Sequence, residues 1–503
     1  MEVKLDTYKV IGDPVHGYIR ITPLEYDLLQ LPIMNRLHYI HQTATAQLTF
    51  PGSVTTRFSH VIGAMYLGGK IISHLLTTIN EIDFRELFPG IEKPDFVVKS
   101  IRLACLFHDI GHGPFSHSSE EAMLKIMQKH PKEIEEASKL FETKVEKDIP
   151  IHEYFSYKII STGEIKEEIE KQESLQLVKS ISELLIKTKN SEIVKQNPIG
   201  YPHLRKIVSG QLDADRMDYL LRDSLMSGVK FGMVDVHRII DNMALVRDSS
   251  KVFHIAFHER ALGSIEDMLD ARFKMYKWFY NHHTVMTTNR LMEIAIDLMI
   301  EDDPSIGELF HWSSYSKGKS IDEYILLKLR EFIETKKERY SNVKGLIDRR
   351  YMPASLFKRT PDYRRLTDKI NQKIGVDQLK ASIMKMITTF FKGDGESKLK
   401  KRISELDDDL KTCVIFQSSL ERKTYKPFLQ NTDKVFLYRK PNTRFCELLS
   451  ESEYFQHINN EWIKFPNVYV SFLIPGKTKK EFEKHSDRLI DIIAEEVAKL
   501  SEN

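Results

Sequence analysis

Cysteine is scarce in this chain: three residues among 503, at positions 105, 413 and 446, with no CxxC pair and no zinc-finger spacing. That scarcity excludes a disulfide framework and a thiolate zinc ribbon, and it fits a reducing compartment. Long apolar runs are missing too. No stretch reaches the ~18 residues of a bilayer span, and the opening MEVKLDTYKV has no signal-peptide core. A cytoplasmic protein with no membrane partner is expected. Charge of one sign is also lacking, since 74 Lys and Arg face 72 Asp and Glu for a net +2. Such a balance exerts no global pull on nucleic acid, so any anion site must be local. Internal repeats and low-complexity tracts are absent.

What is present is the balance of a folded chain, 41% hydrophobic and 29% charged, with a length beyond one ordinary core. YKVIGDPVHGYIRITP has the look of a hairpin. Apolar spacing is helical over residues 24–42, 57–76 and 96–111, again from about Leu212, and over 261–300. Residues 119–195 are charged and helical, with Lys and Glu often at i, i+4, which predicts solvated helix faces. The alternation in VFLYRK and NVYVSFLI predicts strands. The fold class is therefore mainly α with a smaller mixed α/β C-terminal region. We divide the chain into an N-terminal hairpin and helix segment (1–50), with regulatory contacts in view, a helical core (51–310) and the mixed region (311–503).

One stretch stands apart. CLFHDIGHGPFSH (105–117) packs three histidines and an aspartate among glycine and proline breaks, directly after an apolar helix. Ligands for a borderline divalent metal are usually imidazoles and carboxylates fixed on rigid elements. The chain offers His60 early in one helix, His108 and Asp109 at the end of another, and Asp213, Asp215 and Asp218 on a third. Each alone reads as a packed or solvated side chain; the ordered set is far more specific.

The series RFSH…HDIGHGPFSH…IHEYFS…LDADRMDYLLRD resembles the HD-domain deoxynucleoside triphosphate triphosphohydrolases, within them the branch of the vertebrate sterile-alpha-motif HD protein. The likeness starts at YKVIGDPVHGYI, runs through RLHYIHQ and FPGSVTTRFSHVIGAMYLG, and stays legible to about His283. Because it begins almost at residue 1, no sterile-alpha-motif domain is expected. The resemblance implies an HD-domain helical core and four metal ligands, His60, His108, Asp109 and Asp215, for a divalent ion (Mn, Fe, Zn or Mg). Asp213 would then be a surface or supporting residue. It also implies a dNTP substrate, split into deoxynucleoside and inorganic triphosphate.

By the same resemblance, His112, His117, His152 and Asp218 form the catalytic set, with His152 matching a proton donor. A leaving 5′-alkoxide needs a proton, and histidine titrates near working pH. Substrate contacts would come from Gln42, Thr43, Arg57, Arg216, Tyr219, Asp223, Arg272, Tyr280 and His282. Arg216 stands where the family has lysine, and Thr43 where it has a leucine on the sugar, which weakens the barrier to ribonucleotides. Gln30, Asn35 and His38 replace the residues that read a guanine activator, so a nucleotide activator of that kind is not supported, although Lys9 retains a charge for phosphate. A homo-oligomer, dimer or tetramer, follows from the resemblance alone. Two other classes stay open. One is an HD phosphodiesterase or nucleotidase acting on another nucleotide or an RNA end. The other is a non-catalytic nucleotide- or single-stranded nucleic-acid-binding protein using KGKS, DRRYMPASLFKRTPDYRR and KLKKR as a basic patch. Those runs are interleaved with acidic residues, which favours a solvated face.

Overall fold

A computed structural model describes residues 3, 5–186, 201–247, 252–355, 360–375, 386–387, 389–390, 395–406, 414–419, 435–438, 447–448, 468–473 and 485–501. The chain divides into two compact units, Met1–Met275 with Asp303–Ile325 and Phe428–Gln456, and Tyr276–Asp302 with Leu326–Pro427 and His457–Asn503. The expected hairpin opens the first unit. Strand β1 (Lys9–Asp13) pairs antiparallel with β2 (Gly17–Ile21), Asp13 opposite Gly17 at the turn. Ile19 and Ile21 are buried while Tyr18 faces out, the alternation of a sheet with one wet face.

A reciprocal capping box starts α1 (Pro23–Gln30): Thr22 accepts from the Glu25 amide at 3.2 Å and Glu25 accepts from the Thr22 amide at 2.9 Å. The helical spacing over 24–42 is broken earlier than expected, because Pro32 restarts the chain as a short turn of helix, Pro32–Asn35. Helix α2 (Arg57–Thr77) begins at the cap Thr56, and α3 (Pro94–Phe107) has proline in its first turn. The charged stretch yields α4 (Glu120–Met127), α5 (Ile151–Ser161) and α6 (Leu175–Leu185) among shorter pieces; residues 187–195 lie outside the described set. Helix α7 (Ala214–Ser227) is capped by Asp213 and ends at Gly228 in the left-handed region, φ 77°. Fully buried Ile62, Met65, Ile101, Leu103, Met217 and Leu220 lie on α2, α3 and α7.

Strands β3 (Met243–Arg247) and β4 (Phe253–His258) pair antiparallel; Phe436–Tyr438 joins β4 in parallel, and Glu447–Leu448 joins that strand. The helical run expected over 261–300 separates into Leu262–Met275, a π-turn Tyr276–Tyr280 and His283–Asp302. In the second unit Leu366, Ile370, Leu399, Ile403, Leu489 and Ile493 form a core between helices Thr360–Ile374, Gly395–Leu406 and Ser486–Ala498. Its sheet runs Ala354–Ser355, Val468–Leu473, Val414–Ser419, all antiparallel. The strands expected at VFLYRK and NVYVSFLI are thus present over their described parts, while Cys413 and Cys446 lie outside the described residues. The architecture is mainly α with small sheets.

Basic residues of the DRRYMPASLFKRTPDYRR and KLKKR runs are matched locally: Arg350 to Asp348 at 2.7 Å, Arg365 to Asp487 at 3.0 Å and Arg402 to Glu495 at 3.7 Å. Among the described residues no helix is long and apolar enough to cross a membrane.

One carboxylate sits badly in this fold. Burial pushes Glu183 on α6 up to about 7 from 4.5, against the pull of Lys179. An acid with a raised folded-state pKa costs nothing below the unfolded value; its destabilisation grows as pH rises from the unfolded to the folded value and is complete above it. Glu183→Gln should therefore leave the melting temperature unchanged at pH 4 and raise it at pH 8. For a half-exposed group that gain is roughly 1 kcal/mol, or about 2–4 °C by thermal scanning.

Candidate metal centre

Helices α2, α3 and α7 each deliver one part of a common cluster. His60, in the first turn of α2, is wholly buried and places Nε2 3.3 Å from His108 Nε2, 3.2 Å from Asp215 Oδ1 and 3.5 Å from Asp109 Oδ2. His108 Nε2 lies 3.5 Å from Asp109 Oδ1 and 3.7 Å from Asp215 Oδ1. Both imidazoles spend their other nitrogen on a partner behind them. His60 Nδ1 donates to Asp218 Oδ2 at 2.8 Å, and His108 Nδ1 donates to the Cys105 carbonyl at 2.7 Å. Those bonds orient each ring so that Nε2 faces the cluster, the nitrogen that a metal would take in place of a proton. Two imidazoles and two carboxylates suit a divalent ion such as Mn, Fe, Zn or Mg. All four expected ligands are therefore brought together.

The electrostatics agree. Burial would lower both histidines, but Asp215 with Asp218 raises His60 to about 10, and Asp109 with Asp215 raises His108. Burial would raise the carboxyls, yet Arg57, His108 and His112 hold Asp109, and His108 and His60 hold Asp215, well below the usual range. The carboxylates thus favour added positive charge at these two nitrogens, whether as protons or as a bound cation in their place.

Two glycines make the convergence sterically feasible. A Cβ on Gly63 of α2 would fall 1.8 Å from Asp218 Oδ1 and 2.3 Å from an Arg222 terminal nitrogen. A Cβ on Gly111 would fall 2.1 Å from the His152 carbonyl oxygen and 2.4 Å from the Ser156 amide nitrogen. The helical spacing runs on to Gly111. Instead α3 stops at Phe107, and Gly111 lets α5 lie against the loop, its amide donating to Ser156 Oγ at 3.0 Å. The loop then passes through two non-glycine left-handed residues, Phe115 (φ 58°) and Ser116 (φ 53°). Such backbone persists only where its surroundings hold it. Here Asp322 Oδ1 accepts from the Phe115 amide at 2.7 Å, and Ser116 Oγ donates to the His41 carbonyl at 2.6 Å.

A second cluster lies beside the first. His112 Nε2 is 3.4 Å from Asp109 Oδ1, and the His112 ring stacks on His152 with centroids 4.1 Å apart. Glu120 Oε1 accepts from His152 Nδ1 at 2.6 Å and from His117 Nδ1 at 2.9 Å. These four residues could also hold a metal ion. Burial, then Arg57 and His152, pull His112 well below its ordinary value, while Glu120 outweighs burial to raise His152. His112 Nδ1 and Gln42 Oε1 are buried with no hydrogen-bond partner in the protein, atoms suited to a ligand or water. Glu120 was missed in the sequence. It stands in SHSSEE, where a first-turn glutamate is ordinary, and only the fold brings α5 to it.

Other expected residues fall as follows. Asp218 is wholly buried behind His60 and bonded to His16, His60 and Arg222, so it supports a ligand and does not reach reacting groups; Glu120 occupies the place expected of it beside His117 and His152. Asp213 is neither surface nor idle: wholly buried, it caps α7, accepting from the Arg216 and Gly210 amides at 2.7 Å each. Arg57 is buried, pairing with Asp109 and donating to Ser116 Oγ at 2.9 Å. Arg216 pairs with Asp213 and the Gly210 carbonyl. Tyr219 and Asp223 continue the α7 stripe from Asp215, half-buried and buried. Thr43 Oγ1 lies 2.9 Å from Ser53 Oγ, and Arg272 donates to Gln211 at 3.1 Å. Asn35 donates to the Gln30 carbonyl at 2.9 Å, and His38 stacks on Phe58 at 3.6 Å. Tyr280 and His282 belong to the second compact unit.

Comparison with known proteins places this geometry in a context. An HD domain matches residues 57–223, and an HD associated region matches 234–378. The chain is 30% identical over 294 residues to an uncharacterized protein of Methanocaldococcus jannaschii, covering 58% of this chain and 50% of that one. It is 28% identical over 332 residues to the uncharacterized YwfO of Bacillus subtilis, 64% of each. It is 28% identical over 320 residues to the deoxynucleoside triphosphate triphosphohydrolase SAMHD1 of Bos taurus, 61% of this chain and 51% of that one. The chain thus spans about half to under two thirds of these relatives. A solved phosphohydrolase from Bacteroides thetaiotaomicron shares the fold with TM-score 0.59 at 22% identity, covering 93% of this chain and 100% of that one. A hypothetical protein from Aquifex aeolicus shares it with TM-score 0.62 at 19% identity, covering 96% and 99%.

The approach of α7 to Gly63 carries a direct test. Gly63→Ala should destabilise the protein by about 1–3 kcal/mol through overpacking against buried, bonded groups, read as a lower midpoint in denaturant unfolding.

Proposed function

We propose that this chain, in which an HD domain matches residues 57–223 and an HD associated region residues 234–378, is an HD phosphohydrolase that hydrolyses deoxynucleoside triphosphates to deoxynucleoside and inorganic triphosphate in a metal-dependent reaction. The observation that carries the reading is the joining of two clusters through Asp109 and His112: four metal-ligand side chains on one side, a histidine–glutamate proton group on the other. Relatives at 28% identity named as dNTP triphosphohydrolases support the substrate class.

His60, His108, Asp109 and Asp215 would hold the divalent ion, which when bound supplies Lewis-acid neutralisation of phosphate charge and acidification of water. The remaining steps belong to the chain. Water attacks the α-phosphorus, the bond to the 5′-oxygen breaks, and that oxygen takes a proton. His152 suits the donor role because Glu120 keeps it protonated to higher pH than an ordinary histidine, against the effect of burial. Glu120 also holds His117, so the two imidazoles share one anchor. Arg57 fixes Asp109, while Arg216, Tyr219 and Arg272 offer donors for the phosphates. Gln42, with its unpartnered amide oxygen, and Thr43 would face the sugar, and Asp223 would complete these contacts as the family likeness gives them. The same proposal takes in self-association as a homo-oligomer, a core over 51–310 and a C-terminal region from 311. It includes no guanine activator, since Asn35 and His38 are committed to the protein's own backbone and to Phe58.

The test is to incubate the purified protein with each dNTP and NTP plus Mn²⁺ or Mg²⁺ and to resolve the products. Nucleoside and triphosphate support the proposal; diphosphate, monophosphate or an intact pool overturns it, and turnover of cyclic nucleotides or RNA ends would establish the phosphodiesterase reading instead. His108→Ala with Asp109→Ala should abolish both turnover and bound metal. Glu120→Gln should lower turnover about 10²-fold or more with metal content unchanged.

A further inference from the structure

The N-terminal hairpin is built into the back of the metal cluster. Its two strands lie on the surface, with Val10 51% and Tyr18 83% exposed, and Pro14 and Gly17 of its turn are exposed, yet the side chains of Asp13 and His16 reach inward. His16 is only 3% exposed at its side chain and donates from Nε2 to Asp218 Oδ1 at 2.7 Å. Asp13 Oδ2 accepts from an Arg222 terminal nitrogen at 2.7 Å, while its Oδ1 accepts from the Val15 and His16 amides at 2.9 Å each, shaping the turn that presents the imidazole. Arg222 in turn grips Asp218 with two bonds of 2.8 Å, Nε to Oδ2 and the terminal nitrogen to Oδ1. The remaining bond to Asp218 Oδ2 comes from His60 Nδ1 at 2.8 Å.

Asp218 therefore accepts four bonds on two oxygens with no access to water, and one of the four comes from a segment 202 residues away. The carboxylate orients the His60 ring, and the imidazole of His16 with the Arg222 guanidinium orients the carboxylate. Removing His16 leaves Oδ1 one donor short in a site that water does not reach, so the carboxylate turns or shifts and takes the His60 Nδ1 bond with it.

We propose that His16 is a positioning residue for the metal ligand His60, acting through Asp218, and that the turn Asp13–Gly17 is a structural part of the metal centre. This rests on the assignment of His60, His108, Asp109 and Asp215 as ligands. Metal affinity, beyond any loss of fold stability, is the property it governs. Losses on breaking such supporting bonds are typically about 10–100-fold.

The experiment titrates Mn²⁺ into metal-stripped full-length protein by calorimetry, with the melting temperature of the metal-free form measured alongside. The proteins compared are the wild type, His16→Ala, His16→Asn, His16→Gln and His108→Ala. Glutamine can place an amide donor near the position of Nε2, and asparagine falls short of it. The expected result is a roughly 10–100-fold weaker Mn²⁺ affinity in His16→Ala and His16→Asn, with His16→Gln close to wild type. If His16→Ala fails to fold, the asparagine–glutamine comparison decides. Unchanged affinity in a folded His16→Asn variant overturns the proposal, as does an equal loss in His16→Gln. A wild-type protein that binds Mn²⁺ no better than His108→Ala overturns the ligand assignment itself, an outcome separate from these.

Discussion

A carboxylate with no water around it organises the centre of this protein. Asp218 is wholly buried, and burial alone would neutralise it. It stays charged because Arg222, His16 and His60 surround it with donors. Each donor comes from a different place in the chain: its own helix, the N-terminal hairpin, and the helix that carries the first metal ligand. A buried charge held this way is costly to disturb and fixes the geometry around it. The axial rotation of α7, the seat of the hairpin turn and the ring plane of His60 are all tied to this one group.

The same economy of space recurs where the two histidine clusters meet. Asp109 touches both: Arg57 neutralises one oxygen, and His112 approaches the other. A ligand at the first cluster therefore alters the field felt by the second through a single side chain. His112, held neutral by burial and the neighbouring cations, sits between an acidic and a basic group without being either at neutral pH. The two rings stack at 4.1 Å, and His152 is one of the neighbours that hold His112 below its ordinary value.

Much of this was readable from the sequence, for definable reasons. His60, His108, Asp109 and Asp215 stood out because metal ligation demands particular residue types in a distinctive order, and the fold brings their side chains close together. The helices themselves followed from apolar spacing. The supporting groups were not readable. Asp218 lies three residues beyond Asp215, and periodicity alone does not say which of two nearby carboxylates faces the cavity and which faces α2. Glu120 is one of several glutamates opening a solvated helix, and its partners come from a loop and from α5. Asp213 looked peripheral because the cap position of α7 depends on where the helix starts, a boundary that apolar spacing places only within a residue or two. Residues fixed by chemistry were visible; residues fixed by packing distance waited for the fold.

The Phe115–Ser116 bend is secured by Asp322, which also accepts from the His41 amide at 2.9 Å. Residues 207 and 281 positions apart in sequence are thus joined at one carboxylate. A ribosome releases this chain from its N-terminus at about 5–20 residues per second. The loop that follows the metal ligands therefore emerges well before the group that locks it. During that interval His60, His108 and Asp109 are already synthesised while the bend beside them is unsecured, so the left-handed backbone at Phe115 and Ser116 is set late in the making of the chain.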